Sequence, residues 1–189
     1  MFKNISKSRY KKPLITVRKL KLNLFYSRRF DLNPFGDGVL LAPWCTNGEF
    51  VPPCFIKDTK ILMANKTTKS IQQIKPGESV LSYNISKSRF VPNKVLKLIT
   101  NPKNKAGYYI INDLLKVTGN HPVFINGSKW EIVRNLLIGK TFLDIKQKQV
   151  LIKKIEKVEG SYITYDLHLL GEPHNYFAEG VLVHNGCDS

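Results

Sequence analysis

Short runs in which apolar and polar residues alternate make up most of the chain after residue 53. These runs are rich in β-branched and aromatic residues and recur roughly every 8–12 residues, with Gly, Pro and Asn between them, which is typical of strands joined by turns. The clearest runs are 59–63, 79–83, 90–100, 108–118, 149–158, 162–169 and 176–183. The pattern predicts an all-β fold of many short strands.

Turn and helix signals complete this outline. Turn residues at 64–66, 76–77 and 101–104 separate the predicted strands. Helix signals are weak, and Trp130 to Leu137 is the best candidate for one or two helical turns. The two halves of this region share only a vague similarity, and we find no low-complexity segment.

Residues 1–53 have a different character. Leu20 to Leu24 alternates with a period of two, residues 33–38 are turn-forming, and the apolar stretches at 39–45 are too short to form a core. We interpret the segment as an arm or small flank that needs a partner to become ordered. Val51-Pro52-Pro53 ends it as a stiff, extended approach to Cys54.

Charge adds a second feature to this flank. The chain has a net charge of +16, and residues 1–30 contain ten Lys or Arg and no acid. Such a segment suits an anionic partner: nucleic acid, an anionic membrane or an acidic protein. It also resembles a mitochondrial targeting sequence. The alternative is a solvated tail in a lysine-rich protein.

Length and composition bound the class of protein. The 189 residues, 42% of them hydrophobic, allow one domain with a core, or one domain with a tail. No run of about 18 apolar residues predicts a transmembrane helix, and no secretory segment follows Met1. The cysteines Cys45, Cys54 and Cys187 do not match a disulfide scaffold. A reactive thiol in a reducing, intracellular compartment is the simpler expectation.

Two places in the sequence carry candidate chemistry. An asparagine can attack its own backbone carbonyl with its side-chain amide, and a preceding histidine can assist, so His184-Asn185 is a candidate self-cleavage junction. The Cys54 thiol can attack the carbonyl of Pro53 in an N-to-S acyl shift. This step needs a distorted or protonated amide, which Thr118 and His121 can supply. Alternatively, Cys54 is a buried structural cysteine and His121-Pro122 a turn.

Four segments resemble the conserved blocks of the Hint (hedgehog/intein) autoprocessing domains. These are Cys54 with 58–63, Thr118-Gly119-Asn120-His121-Pro122, Tyr165-Asp166-Leu167 with 174–177, and Val181 to Asn185. They occur in the family's order and are most similar to a mini-intein or a bacterial-intein-like domain. The resemblance implies a compact, horseshoe-like Hint domain at 54–185, between a basic flank at 1–53 and a short flank at 186–189.

The resemblance also implies roles for seven residues and no cofactor. Cys54 would form a thioester, promoted by Thr118 and His121. Asp166 would couple the two junctions as an acid or base, although a strand-end carboxylate is the alternative. His174 and His184 would assist cyclisation of Asn185. The substrate would be the chain's own flanking segments, so the activity would be single-turnover cleavage or splicing rather than multiple-turnover catalysis.

The residue after Asn185 departs from the pattern of splicing inteins. Those carry Cys, Ser or Thr at this position, whereas this chain has Gly186, and Cys187 one residue later is only a candidate acyl acceptor. We therefore expect cleavage at one or both ends, with splicing in doubt.

Two other functions remain open from the sequence. The first is a basic structural or nucleic-acid-binding protein that carries an inactive Hint-like domain. The second is a metal site built from Cys54, Cys187, His174 and His184, but their spacing matches no zinc ribbon or finger. We expect zinc to act on these residues only as an adventitious inhibitor, so the prediction includes no metal.

Overall fold

The computed structural model describes residues 53–185. This part of the chain contains fifteen strands, most of them short, and two single 3-10 turns, Ile71–Gln73 and Val133–Asn135. The strands are β1 (Phe55–Ile56), β2 (Lys60–Leu62), β3 (Thr68–Ser70), β4 (Ser79–Asn84), β5 (Arg89–Asn104), β6 (Tyr108–Ile111), β7 (Leu115–Val117), β8 (Pro122–Ile125), β9 (Lys129–Ile132), β10 (Thr141–Leu143), β11 (Gln149–Leu151), β12 (Ile155–Val158), β13 (Tyr162–Leu169), β14 (Asn175–Ala178) and β15 (Val181–His184).

The strands form two antiparallel sheets. The first has the order β12-β6-β7-β1-β13-β5-β4, and the second has the order β11-β10-β8-β15-β14-β2-β3 with β9 paired to β8. Strands from both ends of the domain therefore lie in the interior of the sheets: β1 between β7 and β13, and β15 between β8 and β14. The all-β fold predicted from the alternation is confirmed. Within residues 53–185, no helix is long and apolar enough to cross a membrane.

Two local predictions were wrong. Residues 101–104, predicted as a turn, continue β5, which pairs with β13 through Asn101↔Thr164 and Asn104↔Tyr162. Two residues of β5 thus lie opposite one residue of β13, and this bulge accommodates Pro102, which has no N–H to donate to the ladder. The helical candidate Trp130 to Leu137 contains only the 3-10 turn Val133–Asn135, and Trp130 itself lies in β9.

The vague similarity between the two halves corresponds to a structural repeat. In each half a strand hairpin leads into a 3-10 turn and then a glycine with positive φ, Gly77 at 89° and Gly139 at 94°. In each half, the N–H of the first residue of the 3-10 turn donates to a carbonyl at the corresponding position of the hairpin. Ile71 donates to Thr59 at 2.9 Å, and Val133 donates to His121 at 3.0 Å. The repeat therefore fixes the backbone of His121 at the entrance of β8.

A buried cluster of aliphatic and aromatic side chains fills the space between the sheets. Its largest fully buried members include Tyr176, Phe55 and Ile61. Polar side chains are buried with them, among them Thr118, His121 and Asp166, each with no exposed surface. Because burying a polar group is costly unless it is bonded, these residues mark a built site rather than ordinary core.

Asn175 links the two sheets close to these polar residues. Its Oδ1 accepts the N–H of Tyr83 at 2.8 Å, and its Nδ2 donates to the carbonyl of Tyr83 at 3.0 Å. Ser82 Oγ also donates to the carbonyl of Asn175 at 2.6 Å. These bonds join β14 of one sheet to β4 of the other.

We expect Asn175→Ala to lower the free energy of unfolding by about 2–4 kcal/mol, because two buried backbone groups of Tyr83 lose their partners. Urea denaturation in a Cys54→Ala, Asn185→Ala background, which lacks both candidate reactive side chains, measures this. The exposed Asn65→Ala is the control and should change stability by less than about 0.5 kcal/mol. Equal effects of the two substitutions would contradict the assigned role of Asn175.

Candidate functional site

The register of β1 sets the position of Cys54. Phe55 is opposite Val117 on β7 and opposite Tyr165 on β13, so the preceding residue, Cys54, lies beside Thr118 on one side and Asp166 on the other. The backbone N–H of Cys54 donates to Thr118 Oγ1 at 2.8 Å, and the N–H of Thr118 donates to the carbonyl of Cys54 at 2.8 Å. The amide nitrogen between Pro53 and Cys54 is thereby held by a hydroxyl.

A further polar contact orients this hydroxyl. Thr118 Oγ1 donates its own proton to Asn120 Oδ1 at 3.0 Å. Since the hydroxyl has one proton and gives it to Asn120, a lone pair is directed at the N–H of Cys54. Asn120 therefore belongs to the site, although the sequence analysis gave it no role.

The Cys54 thiol is fully buried and free. Burial raises the pKa of this thiol far above its usual range, the nearby Asp166 raises it further, and the Thr164 hydroxyl acts in the opposite direction. The thiol is therefore protonated at neutral pH, and a nearby base must remove its proton before the sulfur becomes a strong nucleophile.

The Asp166 carboxyl is fully buried and bonded through only one of its two oxygens. Oδ1 accepts from the Tyr176 hydroxyl at 2.6 Å and from the N–H of Leu167 at 2.7 Å. Oδ2 has no hydrogen-bond partner within residues 53–185. Burial raises the pKa of Asp166 well above its usual range, and the two hydrogen bonds offset part of this shift. The carboxyl is thus a buried group able to exchange a proton.

His121 is the buried group that connects the two ends of the domain. Its ring packs against Phe55, with centroids 4.3 Å apart. Burial lowers the pKa of His121 to about 3, and the charge of His184 also lowers it, while the backbone carbonyls of His184 and Pro53 act against these effects. Neither carbonyl contact reaches full hydrogen-bond geometry, and both ring nitrogens lack a hydrogen bond within residues 53–185. A neutral imidazole therefore lies close to the carbonyl of Pro53 and the carbonyl of His184.

The second junction follows β15. The pair Val183↔Val123 joins β15 to β8, which begins directly after His121. His184 Nδ1 lies 2.9 Å from the carbonyl oxygen of Asn185, a contact that assigns Nδ1 as the protonated nitrogen. Burial lowers the pKa of His184, and the bond to the Asn185 carbonyl opposes this. The carbonyl that cyclisation would attack is therefore already polarised by a donor.

Neighbouring side chains hold this histidine in place. The ring of His174 stacks on the ring of His184 with centroids 6.3 Å apart, and Trp130 meets His184 edge-on at 5.2 Å. The N–H of Asn185 donates to the carbonyl of His174 at 3.0 Å, which fixes the backbone of the candidate nucleophile. His174 Nε2 lies 3.1 Å from a carboxylate oxygen of Glu172.

The structure brings together all seven of the candidate residues that it describes. They are Cys54, Thr118, His121, Asp166, His174, His184 and Asn185. The candidate acceptor Cys187 and the basic residues 1–30 lie outside the described residues. Within residues 53–185, no group of three or more His, Cys, Asp or Glu is arranged to hold a metal ion.

Sequence reasoning missed four contributors: Asn120, Trp130, Thr164 and Tyr176. Asn120 and Tyr176 lie inside the quoted motifs, but nothing in the letters distinguishes a motif spacer or a core aromatic from a hydrogen-bond partner. Trp130 and Thr164 join the site only through strand pairing, so the sequence carries no local signal for them.

Comparison with known proteins supports one family. The family model described as a Hint domain (Vint) matches residues 53–159. No curated protein matches the sequence significantly.

Solved structures share the fold over a larger part of the chain. A bacterial intein-like domain from Clostridium thermocellum has a TM-score of 0.63 at 22% identity, covering 70% of this chain and 98% of that one. A DnaB intein from Synechocystis has a TM-score of 0.61 at 21% identity, with coverage of 70% and 98%. A DnaX mini-intein from Spirulina platensis has a TM-score of 0.58 at 25% identity, with coverage of 70% and 99%.

The first two of these likenesses concern the fold, whereas the family match rests on the sequence itself and covers more than half of the chain. The chain therefore belongs to the Hint-domain family, the self-processing domains that include the inteins.

Proposed function

We propose that this domain breaks the backbone on each side of itself, before Cys54 through a thioester and after Asn185 through a succinimide. One observation carries the proposal: the buried imidazole of His121 lies at both ends of the domain, because its ring packs on Phe55, next to Cys54, and the register Val183↔Val123 places His121 opposite Asn185. A histidine placed in the core for packing alone would have no reason to lie at both junctions.

The N-terminal reaction begins with the Cys54 thiol. Its sulfur attacks the carbonyl carbon of Pro53 while its proton passes to Asp166. The bond to the Cys54 nitrogen breaks, and this nitrogen gains a proton through His121 and becomes a free amine. Because the pKa of His121 is about 3, its protonated form is scarce at neutral pH but acidic enough to protonate a weakly basic amide nitrogen. Thr118 and Asn120 keep that nitrogen in place.

The C-terminal reaction uses the side-chain amide of Asn185. Its nitrogen attacks its own backbone carbonyl carbon and loses one proton, the bond to Gly186 breaks, and the departing nitrogen of Gly186 gains a proton. His184 Nδ1 donates to the carbonyl oxygen on which negative charge develops, which is the arrangement of an oxyanion hole. Gly186 offers no side chain to accept an acyl group, so we expect water or an added thiol or amine to resolve the thioester.

We expect Cys54→Ala to abolish thiol-stimulated release of residues 1–53, because no sulfur remains to form the thioester. Intact mass spectrometry of the full chain, with and without dithiothreitol, measures the release. Asn185→Ala is the reciprocal control and should still release residues 1–53. A rate that does not respond to thiol in the wild type would contradict the thioester.

At the second junction we expect Asn185→Ala to abolish cleavage, and His184→Ala to slow it by about 10²-fold, since one donor to the developing charge is lost. Cyclisation leaves a fragment lighter by one water than the product of hydrolysis, which mass spectrometry resolves. Cys54→Ala is the control and should retain most of this cleavage. A cut that persists in Asn185→Ala would exclude the succinimide.

The depressed pKa of His121 predicts acid sensitivity of the fold. The folded state holds His121 neutral down to about pH 3, whereas the unfolded chain binds a proton below roughly 6.5, so stability falls as the pH drops through this window. In the Cys54→Ala, Asn185→Ala background, lowering the pH from about 6 to about 4 should cost roughly 2–3 kcal/mol more than in the same background with His121→Phe. Urea titrations measure both, and identical pH dependence would show that His121 is not held neutral.

A further inference from the structure

Tyr176 holds the carboxyl of Asp166 from the opposite sheet. It lies on β14, while Asp166 lies on β13 of the first sheet, and both side chains are fully buried. The Tyr176 hydroxyl donates to Oδ1 at 2.6 Å, the same oxygen that accepts the N–H of Leu167 at 2.7 Å. Oδ2 is left without a hydrogen-bond partner within residues 53–185. The two donors therefore make the two carboxyl oxygens chemically different.

The hydroxyl of Tyr176 is rigidly positioned. Its ring meets the ring of Phe55 edge-on, with centroids 6.2 Å apart, and Phe55 directly follows Cys54. On its other side, Asn175 is bonded to both backbone groups of Tyr83. The contact with Asp166 is thus made by a tyrosine with little freedom to rotate away, and a buried bond to a carboxylate is among the stronger hydrogen bonds in proteins.

We propose that Tyr176 is a positioning residue for the N-terminal reaction: it occupies Oδ1 of Asp166 so that Oδ2 is the oxygen that takes the proton of the Cys54 thiol. This inference rests on the proposed function. The Cys54 S–H bond breaks, the proton moves to Oδ2, and the sulfur bonds to the carbonyl carbon of Pro53. The bond from that carbon to the Cys54 nitrogen then breaks, and the nitrogen takes a proton through His121. The Tyr176 hydroxyl keeps its own proton throughout.

The Tyr176 hydroxyl orients the Asp166 carboxyl and also stabilises its negative charge. Both effects favour Asp166 as the acceptor of the thiol proton. Burial raises the pKa of Asp166, and the bond from Tyr176 lowers it, so loss of the hydroxyl raises the pKa of Asp166 further. Two titratable groups face Asp166 from neighbouring elements of the described chain: the Cys54 thiol, directly before β1, and Tyr176 on β14. Its partner on β5 is the uncharged Ile99. Loss of the hydroxyl therefore reduces the ionised, proton-accepting form of Asp166 at low pH.

The test is Tyr176→Phe in the full chain carrying Asn185→Ala, where only the N-terminal junction reacts. Release of residues 1–53 by dithiothreitol is measured from pH 5 to pH 9 and expressed as the ratio of the variant rate to the parent rate, which cancels the ionisation of the added thiol. A rise of one unit in the pKa of Asp166 predicts a ratio of about 0.1 at low pH that climbs toward 1 at high pH. A ratio that is constant across the pH range overturns the inference, because a purely structural loss slows the reaction equally at every pH.

Two further variants make the result specific. Tyr83→Phe is the control, because it removes another buried tyrosine hydroxyl, which donates to the Gln147 side chain at 3.1 Å. The ratio of its release rate to the parent rate should stay near 1 at every pH. In a chain that already carries Asp166→Asn, adding Tyr176→Phe should leave the pH profile unchanged, and a further pH-dependent loss there overturns the inference. If the parent never releases residues 1–53 with thiol, the thioester itself fails and the role of Tyr176 fails with it.

Discussion

The pairing of β1 between β7 and β13 is the constraint on which the site depends. Through Phe55↔Val117 and Phe55↔Tyr165 it puts the backbone nitrogen of Cys54 against the Thr118 hydroxyl and the thiol beside Asp166. A slip of one residue would turn every side chain of β1 to the other face of the sheet. The buried ring of Phe55 prevents the slip, because it would lose its place in the core. The hydrophobic core and the chemistry are therefore set by the same residue pairs.

Burial gives the site its chemical character. Cys54, His121 and Asp166 are each closed off from solvent, and in each case burial is the largest influence on the pKa and favours the uncharged form. Charged side chains in such surroundings are energetically costly, so each of these groups is stabilised in its neutral form. The Cys54 thiol lies close enough to Asp166 to interact with it electrostatically, and the resting protein keeps the Cys54 sulfur protonated.

The structural repeat explains how the two junctions reach one histidine. Each half supplies a hairpin followed by a 3-10 turn. The N–H of Ile71 donates to the carbonyl of Thr59, and the N–H of Val133 donates in the same way to the carbonyl of His121, so the two halves have equivalent backbone hydrogen bonds. Only the second copy carries a histidine at this point, and β15 pairs with β8 beside it. A nearly symmetric scaffold thus holds an asymmetric site, in which one imidazole lies near the carbonyls of Pro53 and His184.

The sequence by itself determined the strand-rich character of the domain and the candidate reactive residues, since alternation, turn chemistry and the pairs Pro53-Cys54 and His184-Asn185 are local features. Tertiary structure alone decided which of these residues meet. Pro102 lies in a strand because a bulge opposite Ile163 removes the need for its N–H, and Tyr176, which reads as a core aromatic, bonds Asp166 from another sheet. Strand pairing joins residues far apart in the chain, and it is fixed by the burial of whole faces rather than by local propensity.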